Sequence, residues 1–175
     1  RLVATIYTDL FRGLPLLLVL LLVGLGIPGL RISWIPNSAV VLGTVALVLT
    51  YSAYVAEVIR AGIEGVNPTQ RQAARALGLT QSQTLEHVVL PQAFRNVTPP
   101  LLNDLVSLQK DSGLISVLGA VDAIRAAGIQ TAQSFNFTPY LVAGALFVLL
   151  TIPLTRFTDW LTRKQDARQR AQGQW

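Results

Sequence analysis

Residues Leu14 to Leu30 read LPLLLVLLLVGLGIPGL, without one charged or hydrogen-bonding side chain. About 17 residues is close to the shortest helix that crosses about 30 Å of hydrocarbon. In that medium no water meets the backbone N–H and C=O groups, so the chain must pair them itself. Without the alternating pattern of a barrel strand, only a helix does so. This run therefore sets the fold class: an all-α, polytopic membrane protein. Pro15 fits the first turn of the helix, and Gly24 and Gly26 permit close approach of a second helix.

Three further spans are expected. Ala39 to Ala56 is apolar and leads into Glu57, Arg60 and Glu64, which fall on one side of a continuing helix at the membrane surface. Val97 to Gly119 opens with Pro99-Pro100 and then carries Asn103, Asp104, Ser107, Gln109, Lys110, Asp111 and Ser112. Asn103, Ser107, Lys110 and Leu114 share a helical face, with Asp104 and Asp111 along a neighbouring edge. Ionisable groups at that depth cost at least about 2.5 kcal/mol each unless paired or wetted. They mark either a solute pathway or subunit interface, or a network in which Lys110 and the aspartates neutralise one another. Tyr140 to Thr155 is the last span, interrupted by Pro153 and followed by the basic residues Arg156, Arg163, Lys164, Arg168 and Arg170 in a tail ending at Trp175. The domain plan is a lead-in at 1–13, a membrane domain at 14–160 and the tail at 161–175. Trp34 and Pro36 are expected at interface depth, and 121–137 as a polar loop or short amphipathic helix.

From Ala61 to Phe94 nothing can span a bilayer. Here Asn67-Pro68 is a helix start, with Asn67 as cap and Pro68 already holding the first helical φ. Ala73, Ala74 and Leu77 form a narrow stripe of mostly small side chains, and Gly78 ends the helix in a left-handed conformation. Such a helix, projecting from a membrane protein, is a docking knob. Leu90-Pro91-Gln92 is expected to stop the helix before it.

Composition removes other functions. Of 175 residues only 13% are charged, against about 25% in soluble domains. There is no cysteine, hence no thiolate metal site, and His87 beside Glu86 has no second histidine to complete one. The net charge of +5 does not point to nucleic acid, because the cations flank apolar runs instead of interleaving with aromatics. With the loop at 61–94 in the cytoplasm, Arg1, Arg12, Arg60, Arg71, Arg75, Arg95 and the tail all lie inside, leaving only Arg31 and Arg125 outside. No GxxxxGK[ST], GxSxG or HExxH sequence is present, so transport against a gradient must draw on an ion gradient or another subunit. An ion-coupled transporter using Asp104, Lys110 and Asp111 is the alternative, though no internal repeat supports it. A membrane enzyme is a third, without a nucleophile–base pair.

Gln72-Ala73-Ala74, three residues, Gly78, nine residues and Val88-Val89-Leu90-Pro91 resemble the EAA motif of ABC-importer permeases. Gln72 stands for the usual Glu and Val88 for Ile. Phe11 to Leu17, Ala53 to Ile63, Leu90 to Arg95 and Lys110 to Leu114 resemble the polar amino-acid permeases of the histidine/glutamine/glutamate type, with Ser112-Gly113 where Thr-Ser is more usual. The resemblance implies a type I permease fold in a bacterial inner membrane, with at least one further span N-terminal to this sequence. It implies a non-catalytic subunit that binds no cofactor, working with ABC ATPase subunits that carry ATP and Mg, a second permease and an extracytoplasmic binding protein. The ATPase-coupling residues would be Gln70, Arg71, Gln72, Ala73, Ala74, Arg75, Leu77, Gly78 and Leu79, with Gln70, Arg71 and Arg75 as a polar rim. The translocation path would use Asn103, Asp104, Ser107, Lys110 and Asp111.

Overall fold

The structure is a computed structural model and describes residues 1–31 and 36–172; among these every regular element is helical. Trp34 and Trp175 lie outside the described residues, as do the side chains of Arg168 and Arg170. In order the helices are α1 (Leu2–Gly13), α2 (Leu16–Gly29), α3 (Ala39–Glu64), α4 (Pro68–Ala76), α5 (Gln81–Leu118), α6 (Ala123–Ser134) and α7 (Thr138–Gln172). By length and apolar content α3 and α7 can each cross a membrane. Two bent pairs add up to two more crossings: α1 with α2, at 104°, and α5 with α6, at 47°.

The stretch from 81 to 118 departs from what the prolines suggest. Pro91 does not stop a helix and Pro99-Pro100 do not open one; all three lie inside α5. The reason is local. Leu85–Val89 is a π-turn, in which Leu90 N–H bonds the Leu85 carbonyl, and Pro91 follows immediately after this widened turn. The Gln92 side chain then donates to the Val88 carbonyl at 2.8 Å, and Thr98 Oγ1 donates to Phe94 O at 2.7 Å, supporting the helix near its missing N–H groups. From Ser112 to Leu118 the helix tightens to 3₁₀, so residues 97–119 are not one uniform α-helix. Residues 123–134 form a helix capped by Asp122, whose Oδ1 accepts from Arg125 N–H at 2.8 Å.

The chain forms two compact units, one of residues 1–54 and 105–155, the other of 55–104 and 156 onward; α3, α5 and α7 each contribute to both. In the first unit Val19, Leu20 and Ala46 make the buried core, with Phe11, Leu14, Val23, Leu114 and Leu118 packed against it. Gly24 faces Leu118 with no room for a side chain, whereas Gly26 has open space around it. The Tyr7 hydroxyl donates to Leu49 O at 2.8 Å and lies 2.6 Å from Ser52 Oγ, fastening α1 to α3. Large apolar side chains such as Leu22, Leu25, Val48, Leu141 and Leu149 remain exposed, as lipid-facing or subunit-facing positions require.

In the second unit Val66, Val89 and Ala93 are buried with Ile63 against them, joining the end of α3 to α5. Three of the last four carbonyls of α3 are met: Ala61 O by Gly65 N–H at 2.8 Å, Gly62 O by Asn96 Nδ2 at 3.3 Å, and Ile63 O by the Arg71 guanidinium.

Candidate functional site

The loop at 65–85 is built from short-range bonds. Asn67 Oδ1 accepts from Thr69 N–H at 2.9 Å and Pro68 occupies the first helical position, so α4 starts where the Asn-Pro pair places it. It ends in a Schellman motif: Gly78 N–H bonds Arg75 O at 3.0 Å and Leu79 N–H bonds Ala74 O at 3.2 Å. Gly78 has φ +88°, a backbone that glycine adopts without a Cβ clash. Thr80 opens the next helix with a reciprocal box, its Oγ1 accepting from Gln83 N–H at 3.3 Å while its own N–H donates to Gln83 Oε1 at 2.9 Å.

This framework sorts the coupling candidates. Ala74 is buried, so the surface does not include the whole Ala73–Ala74–Leu77 stripe: Ala74 packs inward and serves the loop's own fold. Arg71 is directed to Ile63 O, close to the C-terminal end of the α3 dipole, and Arg75 Nη1 donates to Leu79 O at 2.9 Å. The two arginines therefore brace the loop, and the simple polar rim reduces to exposed Gln70 and Gln72 with the outer part of Arg75. Ala73 is exposed and Leu79 half-buried. Leu77, 82% exposed, is an apolar knob at the apex; with Gly78, Leu79, Gln83 and His87 it lines an open concavity of about 360 Å³. Glu57, Arg60 and Glu64 form an ion group on α3: Arg60 Nε donates to Glu57 Oε2 at 3.0 Å and Nη1 to Glu64 Oε2 at 2.7 Å. The Arg60 side chain is 56% exposed, so water screens the group.

The path candidates are disposed differently. Asn103 is exposed, and Asp104 is half-buried with Oδ2 lacking a hydrogen-bond partner. In the other unit Ser107 is half-buried and Lys110 is exposed and forms no ion pair among the described residues. The network in which Lys110 neutralises Asp111 is thus not found. Asp111 Oδ2 instead accepts from the Tyr51 hydroxyl at 2.7 Å, and Gln109 Oε1 accepts from Thr151 Oγ1 at 2.9 Å, so α5 is tied to α3 and α7. Tyr51 and Thr151 carry no pattern that singles them out in the sequence. Two residues beyond Asp111, Gly113 is buried where a Cβ would lie 2.8 Å from Ile124 Cδ1 and 2.9 Å from Phe147 Cζ. The glycine that departs from the usual Thr-Ser thus leaves room on α5 for the tips of the Ile124 and Phe147 side chains of α6 and α7. Among the described residues no three His, Cys, Asp or Glu side chains are grouped to hold a metal.

Comparison with known proteins agrees with this architecture. The model of the family described as "Binding-protein-dependent transport system inner membrane component" matches residues 1–168. The arginine transport system permease protein ArtQ of Bacillus subtilis (strain 168) is 37% identical over 163 residues, covering 93% of this chain and 74% of that protein. A putative glutamine transport system permease protein GlnP of Rickettsia conorii (strain ATCC VR-613 / Malish 7) is 38% identical over 165 residues, covering 94% and 75%. Among solved structures, one titled "Crystal structure of an amino acid ABC transporter with histidines" superposes with a TM-score of 0.85 at 38% identity, covering 93% of this chain and 75% of that one. With its helical spans, its loop motif and a family match over nearly its whole length, the chain belongs to the inner-membrane permease components of binding-protein-dependent ABC transport systems.

Proposed function

We propose that this permease forms part of the translocation path of an importer of polar amino acids in a bacterial cytoplasmic membrane. It works on energy from a separate ABC ATPase that binds ATP and Mg, receives substrate from an extracytoplasmic binding protein, and pairs with a second permease subunit. The relatives named for arginine and glutamine support the amino-acid class. Family membership leaves the ion-coupled alternative without support.

The observation that carries the coupling role is Leu77, held at the loop apex by a capped helix on one side and the Gly78 turn on the other, and 82% exposed. Seating a leucine in an apolar groove gains about 1.5–3 kcal/mol. ATP-driven closure of an ATPase pair would carry two such loops together and rock the attached helices between two states. Ser107 and Lys110 would face the substrate, the exposed ammonium suiting an α-carboxylate, while Asp111, held by Tyr51, braces the helix. Asn103 and Asp104 join the path by helical spacing alone.

Leu77→Asp tests the coupling role, because it removes the knob without touching a packed side chain. Reconstituted with its partners, the variant is expected to insert and fold normally while substrate-stimulated ATP hydrolysis falls more than tenfold. Unchanged stimulation rejects the role. Uptake of a labelled amino-acid panel by the same vesicles tests the substrate class.

A further inference from the structure

A second cavity in the same loop region, of about 330 Å³, is lined by Arg71, Arg75, Gln81, Thr84, Leu85 and Val89. Its polar groups are under-used. Thr84 is 5% exposed and its Oγ1 has no hydrogen-bond partner; Arg71 Nε is likewise buried without one. Arg75 commits one of its N–H groups to Leu79 O. Between Glu64 and Glu86 the sequence holds these two arginines and no Asp or Glu, because Gln72 stands where the motif usually has Glu. A buried donor left unpaired costs about 1–3 kcal/mol, and a pair of guanidinium groups attracts planar oxyanions.

We infer that this cavity receives a carboxylate side chain of the ATPase partner. The proposal rests on the coupling role above and deepens it by naming the chemistry of the contact. The Arg75 fork and the Thr84 hydroxyl supply donors to the carboxylate, with Arg71 adding positive charge behind them. Leu85 and Val89 give apolar walls that suit the aliphatic stem of a Glu or Asp. Charge complementarity decides the occupant: the loop brings two cations to the contact and no anion, so the anion comes from the surface it meets.

The test uses the full transporter assembled with its ATPase. Arg75→Lys keeps the charge and places an amine in the cavity, which a zero-length carbodiimide joins to a neighbouring carboxylate as an amide. A permease–ATPase cross-link in clear excess over wild type, mapping to residue 75 and one ATPase Asp or Glu, is expected. Arg75→Glu is expected to weaken permease–ATPase association at least tenfold at low salt and to flatten its salt dependence. Thr84→Val, which removes an unpartnered hydroxyl, is expected to leave thermal stability intact and weaken association about threefold. No excess cross-link, together with wild-type affinity in Arg75→Glu and Thr84→Val, overturns the carboxylate site while leaving the coupling role standing. Inorganic phosphate that protects wild-type permease but not Arg75→Gln against thermal unfolding, with ATPase affinity unchanged in these variants, reassigns the cavity to a free anion and also overturns it. Failure of the wild-type permease to bind the ATPase at all overturns the coupling role itself.

Discussion

The loop at 65–85 and the polar stretch at 103–112 both carry polar side chains in a mostly apolar protein, and they settle them at different ranges. In the loop each fixing bond reaches only a few residues: Asn67 to Thr69, Thr80 to Gln83, Arg75 to Leu79, with Arg71 to Ile63 the longest. In the polar stretch Ser112 Oγ donates locally to Gln109 O, but the bonds of the Asp111 and Gln109 side chains run to other helices, to Tyr51 and Thr151. Short-range bonding lets the loop hold its shape without help from distant segments and leaves Leu77 exposed. Long-range bonding makes the stretch a fastening between helices, and it leaves Lys110 exposed.

The contrast is tested first by the packing just beyond Asp111. Gly113→Ser puts a Cβ within 3 Å of both Ile124 and Phe147, and overpacking of this kind costs about 1–3 kcal/mol. A fall in detergent-solubilised melting temperature is expected, partly restored by Ile124→Val in the double variant; additivity of the two changes would deny the contact. Tyr51→Phe removes the donor to Asp111 and is expected to cost about 1.5 kcal/mol. If Asp111 is a brace, apparent substrate affinity stays within about twofold, below 0.5 kcal/mol, while stability drops. A large affinity loss would place Asp111 on the path.

The loop should show smaller and more local effects. Asn67→Ala loses one cap and is expected to cost about 1 kcal/mol. Faster hydrogen exchange should be confined to the first turn of α4, and spread into residues 105–118 would contradict the local character of the loop. Arg60→Gln removes a screened surface ion group, so no change in melting temperature outside error is expected. A clear shift would mean that this group holds α3 in place.

The same difference in range explains what could be read from the chain alone. The Asn-Pro start, the glycine turn and the motif spacing lie within one short segment, so the loop's helix and its cap are visible without any knowledge of what packs nearby. The inward face of Ala74 is not visible, because α5 decides which side of α4 is covered. Tyr51 and Asp111 are 60 positions apart, and no periodicity links them. Pro91 misleads for another reason. The rule that proline ends a helix assumes an unrelieved turn, whereas here a π-turn precedes it and a glutamine side chain takes up a neighbouring carbonyl.

Leu77 has a consequence for the life of the molecule in a cell. Under the proposed coupling role, this exposed apolar side chain is hidden only while the ATPase covers it, so the surface of the subunit would report whether assembly has taken place. On that reading an orphan copy would display an apolar feature of the kind chaperones and proteases bind, and an assembled copy would not. The turnover of this permease would then be set by the supply of its partner, matching the two subunits in amount without any dedicated regulator.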